Sequence, residues 1–95
     1  MDESRDAVAL AVQTLADELG CSPAEISVAE VRPVTWPDSS LGCPQPGMMY
    51  LQVLTPGYRV RLVHTGREHI LHTDRGHSAV RCQGGGMEEA GGALL

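Results

Sequence analysis

Apolar residues Val8, Val12, Leu15 and Leu19 recur at i, i+4, i+7 and i+11, the spacing of one helical stripe, with Ala11 and Ala16 flanking it and Asp17 and Glu18 off it. Asp2 or Ser4 can cap the start, and Gly20 stands just past the last periodic residue, where a left-handed cap is favoured. The spacing predicts a helix over residues 4–19. Ser22, Pro23 and Glu25 then supply a capping serine, a proline at the first helical position and a glutamate at the third, which predicts one short helical turn.

Beyond residue 25 the period changes. ISVAEVRPVT (26–35) is rich in β-branched residues and predicts a strand, with Pro33 confining its late portion to an edge or a bulge. WPDSSLGCPQPG (36–47) holds three prolines and two glycines, which excludes both helix and ladder and predicts a long, conformationally restricted loop. MMYLQVLT (48–55) reads as a second β-like run. In TPGYRVRLVH (55–64) a Pro-Gly turn precedes strict alternation of Tyr58, Val60 and Leu62 with Arg59 and Arg61, so one face of that strand meets water. Thr65 and Gly66 turn the chain, REHILHT (67–73) returns, residues 74–76 turn again, and HSAVRC (77–82) closes an antiparallel meander. A helix stripe and one sheet face must each bury against something. The expected fold is therefore α+β, one N-terminal helix packed on a four- to five-stranded antiparallel sheet in two layers. Residues 1–82 form one domain in this reading, and the Gly-rich tail 83–95 is disordered.

Composition narrows the function classes. The chain has 95 residues and a net charge of −5, and its aromatic residues are Trp36, Tyr50 and Tyr58 alone. Stacking platforms for single-stranded nucleic acid are nearly absent, and no global field attracts nucleic acid or anionic lipid. The charge is uneven. Residues 1–30 carry seven acids against Arg5, whereas residues 31–82 carry six arginines against Asp38, Glu68 and Asp74. Every basic residue is arginine, which suits bidentate contacts with carboxylate or phosphate and equally reflects a GC-rich genome. The N-terminus is acidic and amphipathic, unlike a secretory signal, and no stretch approaches the ~20 apolar residues of a membrane span. A soluble, cytoplasmic monomer is expected, or an extracytoplasmic one if a leader has been removed.

Candidate chemistry is sparse. Three cysteines (Cys21, Cys43, Cys82) permit at most one intramolecular bridge and leave one thiol over. His64, His69, His72 and His77 lie within 14 positions, but a two-residue hairpin at Thr65–Gly66 would set Leu62 opposite His69 and Arg59 opposite His72, turning His69 and His72 to opposite faces. Without CxxC, HxxxH or HExxH spacing, no metal site is expected and the histidines read as solvated strand-end residues. Arg59 and Arg61 could receive an anionic partner or pair with Glu68 and Asp74.

The string WPDSSLGCPQPGMMYLQVLTPGYRV, with the later pair His72–Thr73 and Cys82, resembles an uncharacterised family of small bacterial domains over roughly residues 5–82. Many of its members look exported, and the resemblance carries a fold rather than an activity. It points to Cys43 and Cys82 as a disulfide pair, which would close a loop of about 40 residues and stabilise by roughly 4 kcal/mol in the chain-entropy model. A reducing compartment would keep both as thiols, packed or reactive. More loosely, a helix on a short antiparallel meander looks like PepSY-type domains, modules that bind or inhibit partners.

The resulting expectation is a non-catalytic module that binds a protein or peptide through the 36–47 loop (Trp36, Asp38, Ser39, Ser40, Leu41, Cys43) and the face bearing Arg59 and Arg61. The alternatives are a protease-inhibitor-like loop and a thiol-redox element centred on Cys43. No triad, paired carboxylates, phosphate loop or cofactor motif is present.

Overall fold

In a computed structural model that describes residues 4–81, helix α1 (Ser4–Leu19) is followed by one 3-10 turn (Pro23–Glu25) and four strands. These are β1 (Ser27–Trp36), β2 (Thr55–His64), β3 (Arg67–Thr73) and β4 (Ala79–Arg81), in one antiparallel sheet of order β1-β2-β3-β4. This is a two-layer α+β arrangement. The expected tail 83–95 lies outside the described residues, as does Cys82.

The helix ends where Gly20 and Cys21 both donate their N–H to Ala16 O, at 2.8 and 3.0 Å. Its buried line runs through Ala7, Ala11, Leu15 and Ala16, with Val12 and Leu19 half-buried beside it. Alanine at the centre of the stripe lets the helix lie close on the sheet, where Val60, Leu62 and Leu71 complete the core with Ile26. The short turn carries the full capping box. Ser22 Oγ accepts from Ala24 N–H, and Glu25 accepts from Ser22 N–H at 3.1 Å.

Register follows from two local devices. Thr65 and Gly66 both take positive φ (48° and 82°), the pair of left-handed residues a type I′ hairpin demands, and this fixes Leu62 opposite His69 and Arg59 opposite His72. The second device is a bulge between Val28 and Glu30. Without the extra residue, Glu30 would fall opposite Val60 and point at the core; with it, Glu30 faces Arg61 and Val31 faces Val60.

Strand β1 forms one edge of the sheet and β4 the other. Pro56 has no N–H, so its pair with Thr35 is a non-hydrogen-bonded one, and the same phase turns Val31, Pro33 and Thr35 outward. Pro33 therefore interrupts the row of edge donors, a known brake on edge-to-edge pairing.

One expected strand is absent. Residues 48–54 form no strand: β2 is already flanked by β1 and β3, and the remaining edge of β1 is blunted by Pro33. The sheet has four strands, the lower of the expected four to five.

Candidate functional site

Strand alternation sends Val60, Leu62 and Leu71 toward the helix and leaves Glu30, Arg32, Trp36, Arg59, Arg61, Ile70 and His72 on the other face. Residues 37–54 fold back over one end of this second face. Trp36 stacks on His72 with ring centroids 4.3 Å apart and planes inclined by 21°, and its Nε1–H donates to Thr73 O at 2.8 Å. His72 is 1% exposed, and Trp36 7%. The expectation of solvated histidines fails at this position, because Trp36 and the returning loop roof the ring.

The loop is built inward. Asp38 Oδ1 accepts from Ser40 N–H and from Ser40 Oγ–H, at 2.9 and 2.6 Å, and these bonds hold its carboxyl below the ordinary range. Ser39 donates N–H to Leu51 O at 3.0 Å while its Oγ accepts from Leu51 N–H at 2.8 Å, so Ser39 ties the two halves of the loop together. Leu41 sits at φ 58° and is buried, with Ser40, against the sheet. Gly42 follows at φ 77°. A Cβ there would lie 3.0 Å from Trp36 Cε3 and Cζ3 and 3.3 Å from His72 Nδ1, so the residue under the tryptophan has no room for a side chain.

Cys43 is half-buried, its Sγ 3.2 Å from His72 Nδ1. The same Nδ1 lies 2.7 Å from Leu41 O, a carbonyl that can only accept, so Nδ1 carries the hydrogen. That assignment bears on chemistry. A nitrogen donating to Leu41 cannot serve Cys43 as a base in this geometry. Desolvation pushes the His72 pKa down, the Leu41 bond opposes it, and Arg59 adds to the depression.

On the open part of this face Arg61 pairs with Glu68 at 2.8 Å and with Glu30 at 3.4 Å, Arg32 reaches Glu30 at 3.1 Å, and Arg59 lies 3.8 Å from Glu30. Arg32, by charge and hydrogen bond, and then Arg61 hold the Glu30 carboxyl below its usual value. Asp74, the other acid expected to meet an arginine, instead accepts three backbone N–H bonds from Gly76, His77 and Ser78. Burial alone would raise its pKa, and these bonds outweigh that to leave it lowered. Among the described residues no group of three His, Cys, Asp or Glu side chains is placed to hold a metal ion.

Of the sequence-selected loop residues, Trp36, Ser40 and Leu41 are buried, and Asp38, Ser39 and Cys43 are half-buried. What the connection turns outward lies further along. Met48, Met49, Leu51, Val53 and Leu54 are all exposed, Met49 to 94%, Leu54 to 75% and Leu51 to 70%. Sequence reasoning assigned this run to a strand, where such residues would have been covered.

Fold and site together define a small α+β domain whose sheet is locked at one end by a proline- and glycine-rich connection. The chain belongs to the DUF8738 family, a domain of unknown function, which it matches over residues 8–82. No curated protein and no solved structure matches it. No helix among the described residues is long and apolar enough to cross a membrane.

Proposed function

We propose that this domain is a protein-binding module whose docking surface is the apolar run Met48–Leu54, presented by the inward-packed 36–47 loop and flanked by the arginine face of Arg32, Arg59 and Arg61. One observation carries this reading. Five large apolar side chains out of seven consecutive residues stand in solvent while the loop beneath them is hydrogen-bonded and packed. Contiguous apolar surface of this kind on a soluble domain marks an interaction site, whereas scattered apolar residues would not. Methionine adds surface that adapts to its partner's shape. The WPDSSLGCPQPG string acts as the scaffold: Trp36, Leu41 and Gly42 clamp His72, and Ser39 holds the run at Leu51.

Cys43 and Cys82 form a disulfide when the domain resides in an oxidising compartment, pinning the loop to the chain beyond β4. Cys43 is held against His72, which pairs across the sheet with Val80, two residues before Cys82 in the chain. The thiol-redox alternative has less support, because His72 Nδ1 is committed to Leu41.

The test is photo-crosslinking from Met49 and Leu54, with the exposed helix position Ala9 as control. The expected outcome is one predominant protein adduct from both loop positions and none from Ala9, competed away by free wild-type domain but not by a folded Leu51→Ser/Leu54→Ser variant. Adducts no stronger than those from Ala9 would remove the proposal.

A further inference from the structure

At the same end of the sheet, on the helix side, lies a cleft of about 250 Å³ bounded by Pro33, Thr35, Pro56, Tyr58 and Arg75. Its chemistry differs from that of the apolar run. Two proline rings and the Tyr58 ring form apolar walls, no acidic residue lines it, and Arg75 supplies a cation. Arg75 makes no ion pair among the described residues. Its neighbour Asp74 is drawn away by three backbone N–H groups, and those bonds fix the turn that holds Arg75 at the rim. An arginine fork over apolar walls is complementary to a carboxylate joined to an apolar body.

Two features narrow the ligand. The volume lies below the ~300 Å³ at which pockets for drug-sized molecules begin, which suits a single residue. Thr35, on the wall, turns its backbone N–H and C=O to the open edge of β1, because the Thr35–Pro56 pair cannot be hydrogen-bonded. Those groups are the partners an extended main chain requires. Pro33 stops such pairing from running further along the edge, so a short segment is favoured over a long strand.

We propose that this cleft binds the C-terminal residue of a peptide partner, with the terminal carboxylate on Arg75, an apolar side chain against Tyr58 and the prolines, and the preceding amide on Thr35. The site is separate from the Met48–Leu54 surface and stands or falls independently of it. The probes are N-acetyl-Gly-Phe as free acid, the same peptide as C-terminal amide, and 3-phenylpropionate, titrated into the labelled full chain by heteronuclear NMR. The acid is expected to shift Thr35, Tyr58 and the Arg75 side chain, the amide to bind about tenfold more weakly, and Arg75→Gln to weaken the acid to the amide's level with the fold unchanged. Phenylpropionate, lacking the peptide amide, is expected to bind more weakly than the acid. Equal affinity of acid and amide would overturn the carboxylate role, and equal affinity of phenylpropionate and peptide would overturn the peptide assignment. Shifts confined to residues 48–54, or none up to about 10 mM ligand, would overturn the site.

Discussion

Replacing Trp36 tests whether the loop is held as its contacts imply. The side chain contributes three separable things: buried area at 7% exposure, a stacked contact with His72, and the 2.8 Å bond to Thr73 O. Trp36→Phe keeps a ring over His72 but removes the donor, leaving a buried carbonyl short of one partner, which costs about 1 to 3 kcal/mol. Trp36→Ala removes the ring as well and opens a cavity between His72 and Gly42, for a total of about 3 to 5 kcal/mol. A chain of this length has on the order of 5 to 14 kcal/mol in all, so the alanine variant stays folded at low temperature unless the domain lies at the bottom of that range. Urea unfolding gives both differences. Amide exchange locates them, because loss of the Trp36 roof is expected to lower protection at Cys43, whose N–H bonds to Ser40 O, and at Leu51, whose N–H bonds to Ser39, while β2 and β3 keep theirs. If Trp36→Ala costs less than about 1 kcal/mol, or if Cys43 and Leu51 remain protected to the wild-type level, Trp36 is not what locks the loop.

Three further outcomes follow from the same site. The folded His72 pKa lies below its unfolded value near 6.5, so its contribution to stability is fully present above that pH and is lost as pH falls through it toward the folded value. Urea midpoints from about pH 7.5 to 5 should therefore drop more steeply for wild type than for His72→Gln, and equal slopes would refute the assignment. Gly57→Ala would place a Cβ 1.8 Å from Thr73 O, the carbonyl that receives Trp36 Nε1–H, so it should destabilise by about 3 kcal/mol or more and quench the Trp36–Thr73 bond; a thermal shift of under about 2 °C would contradict the close approach. Protein equilibrated with oxidised glutathione and then alkylated should give a Cys43–Cys82 peptide with no bridge between Cys21 and either partner, and a free Cys43 and Cys82 after that oxidation would reject the pairing.

Much of the frame was legible because it is governed by neighbours in sequence. The stripe from Val8 to Leu19 and the Ser22–Glu25 box produced the helix and the turn as read, and Thr65–Gly66 alone determined the β2–β3 register and thus the opposite facing of His69 and His72. The bulge at Ala29 escaped because its signal is only a broken alternation in VAEV, and the benefit of placing Glu30 among arginines arises on strands 30 residues away. His72 escaped for the same reason: nothing beside it in the chain says that Trp36 will cover it. The connection 36–54 shows where local reading stops. Its prolines and glycines restrict the backbone, but a restricted loop can hold side chains out or in, and the choice depends on whether the loop's polar groups find partners within the domain. Asp38, Ser39 and Ser40 find theirs in the loop itself and Leu41 O finds His72, so this half closes on the sheet. The apolar half is then left without an edge to pair with or a core to enter. Residues 48–54, whose composition argued for burial in a strand, stay exposed instead, and that exposure is what the proposed docking surface rests on.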